Sequence, residues 1–273
     1  MGKLTGRTVS ADTRYSVPNL ERGLRILELL QDHRDGLSQS ELAARLGFSK
    51  TSVFRVTRTL LEYGYLLRNE ETKALRLSRK LLALGIRALA DRDLMATAID
   101  VLRGLRDTLR ETVLIGTLAD EAFVVLDQVL GAHPFKFSVD RGARLPLHTA
   151  APAKAMLAAL PEREREAAVD RIEFTCFNDR TITTPEAFRR ELDAVRTQGY
   201  AVDRGEQLGG IHCVAAAVLD RHGYPIAGVW TTGPADRLRA SDLPAVGALL
   251  VSRVRIISHR QGFVPARDLP LPE

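Results

Sequence analysis

Apolar residues along this chain follow two different periods, and the change from one to the other marks its parts. Leu20, Leu24, Leu27 and Leu30 share one helical face. They predict a helix from Asn19, as its cap, to about His33. After an Asp35-Gly36 turn, Ser38 predicts a second cap, with Glu41 three residues later as in a capping box. That helix carries Leu42, Ala43 and Leu46 and stops at Gly47. Ser49 caps a third helix from Lys50 to about Tyr63, ended by Gly64. Two short strand-like runs, Tyr65–Arg68 and Ala74–Leu77, flank a polar tip at residues 69–73 and predict a hairpin. Three helices followed by a hairpin make a winged helix-turn-helix over residues 17–77.

Ser78 to about Arg110 again reads as helix, with Leu94, Ala98, Leu102, Leu105 and Leu109 in its second part. A break at Asp91-Arg92-Asp93 divides it into a linker helix, 78–93, and the start of a second domain, 94–263. There the period shortens. Val113–Leu118 and Ala122–Val129 predict a hairpin over the turn at residues 119–121, and Phe135–Val139 predicts a further strand. Ala151–Leu160, Glu162–Arg171 and Pro185–Gln198 read as helices. Val214–Leu219 and Ile226–Thr232 read as strands, and Leu243–His259 as a closing helix. Hairpins and helices in that order imply an α+β fold, an antiparallel sheet flanked by helices. Residues 1–16 are polar and basic and, like residues 264–273, are expected to be tails.

Composition places the chain among globular proteins, at 45% hydrophobic and 27% charged residues. No run approaches the ~20 apolar residues that span a membrane, and no signal-like core opens the chain. A cytoplasmic protein with two reduced, buried thiols, Cys176 and Cys213, is the expectation. Charge is distributed unevenly. Residues 1–90 hold 16 of the 39 Lys and Arg but only 9 of the 34 Asp and Glu. The remaining 23 basic and 25 acidic residues nearly cancel. A basic module on a near-neutral body points to a polyanion, double-stranded DNA, as partner.

The helix-turn-helix pattern lies in Gln39–Arg58. Ala43, Gly47 and Val53 stand at its fifth, ninth and fifteenth positions. They supply the small residue at the helix crossing, the turn residue tolerant of positive φ and the β-branched core residue. With Val53, Val56 and Leu60 inward, Lys50, Thr51, Phe54, Arg55 and Arg58 face out, and Ser49 and Ser52 lie at the N-terminal end that enters the major groove. Arg55 suits bidentate contact with guanine. Phe54 either presses on a thymine methyl or packs on the first helix. Ser49 and Thr51 suit phosphate oxygens, Ser38 is a further DNA-binding candidate, and Arg68, Lys73 and Arg76 flank the wing and suit phosphate or minor groove.

These stretches resemble the IclR family of bacterial regulators. The resemblance runs from about Val17 to Phe263 and is carried by Gly36–Leu66, by Leu145–Ala155 and by Gly199–Glu206 with Gly209–Ala216. It implies a GAF-like effector-binding domain, a homodimer or homotetramer, and a partly palindromic operator. It also implies a small organic acid, aromatic ones included, as effector. By motif, the effector site would include Ala151, Pro152, Asp203, Cys213, Trp230 and Thr232. The chain departs from the family pattern at Pro152, which has no N–H to offer an anion, at Ala153, and at Trp230, which stands where a small polar residue is usual.

Each of these residues has a second reading. Asp203, expected to follow a strand, either bonds a ligand or caps a turn. Cys213 can be a plain buried thiol and Thr232 an ordinary strand residue, and His148 can bond backbone rather than ligand. No metal-ligand cluster, phosphate loop or nucleophile motif argues for an enzyme or a cofactor. Two functions stay open: a regulator whose DNA binding answers to an effector, and one whose sensor domain is vestigial and serves only assembly.

Overall fold

A computed structural model describes residues 17–33, 35–81, 84, 94–119 and 121–264. Both expected tails, all but five residues of the expected linker helix with its break, and Asp120 of the first hairpin turn lie outside these, apart from Val264. Contacts divide the chain into two units, Met1–Asp91 and Arg92–Glu273.

The first unit is a winged helix-turn-helix. Helix α1 spans Pro18–Gln31. Its N-cap is Val17, without a side-chain cap, and Pro18 opens it, because a fixed φ and a missing N–H suit a first turn. Asn19 is therefore inside the helix rather than its cap, and its Oδ1 accepts from Arg22 Nη1 at 2.9 Å. Helix α2, Gln39–Leu46, begins with the expected capping box: Ser38 and Glu41 satisfy each other's backbone N–H groups. It ends at Gly47, whose φ of 68° makes the tight turn. Helix α3, Lys50–Glu62, is capped by the Ser49 side chain. Strands β1, Leu66–Arg68, and β2, Leu75–Leu77, pair antiparallel as the wing. Ile26, Leu42, Val53, Leu66 and Leu75 form the centre of the core.

The second unit opens with helix α4, Leu94–Leu109. Strands β3, Thr112–Ala119, β4, Ala122–Val129, and the two-residue β5, Arg144–Leu145, follow. Helices α5, Ala151–Ala159, α6, Glu162–Val169, and α7, Pro185–Gln198, come next. Strands β6, Ala201–Arg204, β7, Ile211–Leu219, and β8, Pro225–Pro234, precede helix α8, Leu243–Arg260. The sheet order is β5-β4-β3-β8-β7-β6, antiparallel throughout. Alternation along each strand gives two cores. Val113, Ile115, Val214 and Val229 meet α4 and α8 on one face. Leu114, Ala215 and Trp230 meet α5 and α7 on the other.

Three expectations need correction here. Phe135–Val139 is not a strand. Side chains satisfy its backbone instead of a ladder: Thr112 Oγ1 donates to the Phe137 carbonyl at 2.6 Å, and Gln128 Oε1 accepts from the Val139 N–H at 3.1 Å. Asp203 lies within β6 rather than after a strand. Both cysteines are free, but Cys176 is exposed rather than buried. Among the described residues no helix is long and apolar enough to cross a membrane.

Candidate nucleic-acid interface and effector face

The α3 helix separates its residues as its period requires. Val53, Val56 and Thr57 are buried, while Lys50, Thr51, Phe54, Arg55 and Arg58 are exposed. Phe54 keeps half its surface in solvent (50%) and lines a groove with Leu20, Leu24 and Leu27 of α1. Thr57 holds the buried side with hydrogen bonds to the Val53 carbonyl at 2.7 Å and from Gln39 Nε2 at 2.9 Å. Ser38 and Ser49 sit at the N-termini of α2 and α3, and both hydroxyls are engaged in capping. Ser52 Oγ is buried and has no partner among the described residues.

In the wing, Asn69 Oδ1 gathers the N–H groups of Glu71 and Thr72 at 2.9 and 3.0 Å, and Lys73 turns the chain at a φ of 58°. Lys73 Nζ is 3.3 Å from Glu70 Oε2. Arg68 and Arg76 are exposed. The structure thus gathers Lys50, Thr51, Phe54, Arg55 and Arg58 on one helix face, and puts Arg68 and Lys73 on the hairpin that follows.

In the second unit, Asp203, Cys213 and Thr232 form a row across β6, β7 and β8, since Asp203 pairs Cys213 and Cys213 pairs Thr232. Cys213 Sγ donates to Thr232 Oγ1 at 3.3 Å. Trp230 lies two residues back along β8 on the same face. It is 2% exposed and meets Phe123 edge-on, with ring centroids 5.4 Å apart. Ala151 and Pro152, at the start of α5, are buried. Gly228 explains how closely α5 approaches: a Cβ there would stand 3.0 Å from both Pro152 Cβ and its carbonyl oxygen. All six expected residues are therefore in one layer, between α5 and the sheet.

The charges in this layer come from a group the sequence did not reveal. Lys154, three residues into α5, is fully buried, and its Nζ is 2.6 Å from both carboxylate oxygens of Glu206. The same ammonium donates to the Val202 carbonyl at 3.2 Å and lies 3.5 Å from Glu191. The Glu206 N–H donates to Asp203 Oδ1 at 2.7 Å, so Asp203 caps the turn into residues 204–206. Burial pushes the Glu206 carboxyl up to about 7, against the pull of Lys154. It also raises Asp203 and holds the Cys213 thiol protonated, far above the ordinary thiol range. His148 is buried and bonds the Thr175 carbonyl through Nε2 at 2.9 Å. Desolvation lowers its pKa, so the ring is neutral. Among the described residues no group of three or more His, Cys, Asp or Glu is placed to hold a metal.

Comparison with known proteins agrees with this architecture. The family described as "Bacterial transcriptional regulator IclR C-terminal" matches residues 86–259, and the "IclR helix-turn-helix domain" matches residues 19–70. The HTH-type transcriptional regulator KdgR of Escherichia coli is 32% identical over 248 residues, 91% of this chain and 94% of that protein. The transcriptional repressor IclR of Escherichia coli is 27% identical, over 93% of each. Among solved structures, Thermotoga maritima IclR aligns with a TM-score of 0.65 at 28% identity, covering 90% of this chain and 99% of that one. An IclR homolog from Microbacterium hydrocarbonoxydans, complexed with 4-hydroxybenzoate, aligns at 0.75 and 21% identity over 89% of this chain and 98% of its own, a likeness of fold.

Proposed function

The chain belongs to the IclR family of DNA-binding transcriptional regulators, which are not enzymes, and we propose that it binds a partly palindromic operator under the control of a small organic effector. The observation that carries the reading is the α3 surface. One basic and aromatic face, Lys50, Thr51, Phe54, Arg55 and Arg58, stands in solvent while the opposite face forms the core. Its N-terminal end is where such a helix meets base edges. Arg55 reads guanine, Phe54 touches a thymine methyl, and Ser38, Ser49, Lys50, Thr51, Arg58, Arg68 and Lys73 position the head on phosphates.

One such head makes too few contacts for tight specific binding, so two act together on an inverted repeat. Leu20 and Leu24 leave an apolar strip exposed on α1, which suits a second copy of this chain in a homodimer or homotetramer. The layer between α5 and the sheet, with Ala151, Pro152, Asp203, Cys213, Trp230 and Thr232, is the family-implied effector face. The homolog that holds 4-hydroxybenzoate supports an organic acid as effector. A second reading, a sensor domain kept only for assembly, is favoured by the burial of Trp230 in that layer.

Footprinting of the full chain on its own upstream region tests the reading. Two related half-sites about 34–36 Å apart, or a multiple of that, are expected. Tight binding of a monomer to a single asymmetric site would overturn it.

A further inference from the structure

Two adjoining clefts, of about 300 and 310 Å³, flank the C-terminal end of α6 and share Leu147, Ala168 and Arg171. Ligand pockets begin at about this size. Neither contains Ala151, Pro152, Asp203, Cys213, Trp230 or Thr232. Arg171 is exposed, and its guanidinium makes no ion pair among the described residues. The neighbouring arginines of this region are committed: Arg165 to Glu166 and Asp193, and Arg189 to Glu166 and Asp170. A planar cation left free beside an apolar wall matches a carboxylate in two parallel hydrogen bonds.

The first cleft adds a second recognition element. His148 lines it, and its Nε2 faces the Thr175 carbonyl at 2.9 Å. A carbonyl can only accept, so the ring hydrogen is on Nε2 and Nδ1 carries a lone pair. Burial keeps the ring neutral, which preserves that lone pair at neutral pH. Phe177 stacks on the His148 ring at 5.9 Å and 21° and also lines the cleft, giving a flat aromatic wall. Glu121 and Glu173 lie on the same lining. These carboxylates repel a ligand with two negative charges but accept from a hydroxyl.

We propose that this cleft binds an aromatic monocarboxylate bearing a hydroxyl group, with its carboxylate on Arg171, its ring against Phe177 and Leu147, and its hydroxyl donating to His148 Nδ1 or a flanking glutamate. The site is separate from the layer under α5, where Trp230 is buried. The inference rests on the effector reading above only for its regulatory consequence, not for binding itself.

Calorimetric titration of the full chain with 2-, 3- and 4-hydroxybenzoate, benzoate and terephthalate tests it. At least one hydroxybenzoate is expected to bind saturably, several-fold tighter than benzoate, with terephthalate weaker still. Arg171→Met should weaken binding by about ten-fold or more, the loss of a charge-assisted bond. Arg163→Met, a nearby exposed change outside both clefts, should leave it unaltered. The proposal falls if no hydroxybenzoate binds, or if Arg171→Met binds like wild type. It also falls if Asp203→Asn abolishes binding while Arg171→Met does not, since the acid then sits under α5 and the effector reading survives without this cleft. Binding that depends on Arg171 but leaves operator affinity unchanged upholds the cleft and refutes only its role as effector site.

Discussion

Lys154 and Glu206 meet with no water between them: the fully buried ammonium is 2.6 Å from each carboxylate oxygen, across 52 residues of chain. The pair ties α5 to the turn after β6, and the Val202 carbonyl on the same ammonium ties it to β6 itself. Removing one partner of such a pair costs about 3–5 kcal/mol, because the other charge stays buried. Lys154→Met should therefore lower the stability of the second unit by that amount, measured by denaturant titration. A loss under about 1 kcal/mol would mean that the pair is hydrated in solution.

The same pair sets a pH dependence. Burial raises the Glu206 carboxyl to about 7, above its ordinary 4.5, so the folded chain holds this proton more tightly than the unfolded chain. Its contribution is complete below about 4.5 and is lost as the pH rises through about 7. Asp203, raised by burial as well, acts in the same direction. Stability should thus fall between pH 5 and 8 by on the order of 2–3 kcal/mol, and Glu206→Gln should flatten much of that slope. A slope of the same size in Glu206→Gln would assign the proton to another group.

On DNA, Arg55→Ala should cost about 1–3 kcal/mol on the cognate operator and little on random sequence. Fluorescence anisotropy on both DNAs reads the difference. Equal losses on the two would reduce Arg55 to a phosphate contact.

The wing should behave differently. Arg68→Ala is expected to weaken cognate and random DNA alike and to lower the salt slope by about 1. Lys73→Ala should do less, because Glu70 at 3.3 Å already competes for its ammonium. Salt titrations of both variants check this, and a larger effect at Lys73 would show that the Glu70 pair opens on DNA.

Trp230 is the chain's one tryptophan, buried against Phe123. Its emission should be blue-shifted and poorly quenched by acrylamide in the free protein. Trp230→Ala should destabilise the unit by about 3–5 kcal/mol. Free access of quencher to the indole would show that the layer under α5 opens in solution.

The DNA-binding head was legible because its signals are local. Ser38 with Glu41, Ser49, Gly47 and the Asn69 turn each act within a few residues, and the structure forms each of them. The first hairpin, Val113–Leu118 with Ala122–Val129, was legible for the same reason. Phe135–Val139 misled because its alternating residues fit a strand, while the groups that satisfy its backbone, Thr112 and Gln128, lie elsewhere in the sequence. Lys154 was missed because a lysine in Ala151–Ala159 has no nearby carboxylate, and its partner is Glu206. Arg171 was missed because a free guanidinium is visible only once the other arginines have been paired off in space.

The pairing of β3 with β8 also governs when the second unit can form during synthesis. Residues 112–116 pair with 228–232, so the hairpin of β3 and β4 emerges from the ribosome with one edge of β3 bare. At about 5–20 residues per second, roughly 6–20 s pass before β8 has been made. Throughout that interval the nascent chain presents an apolar strand edge, Val113–Ile115, that a chaperone or another nascent chain can reach before β8 does.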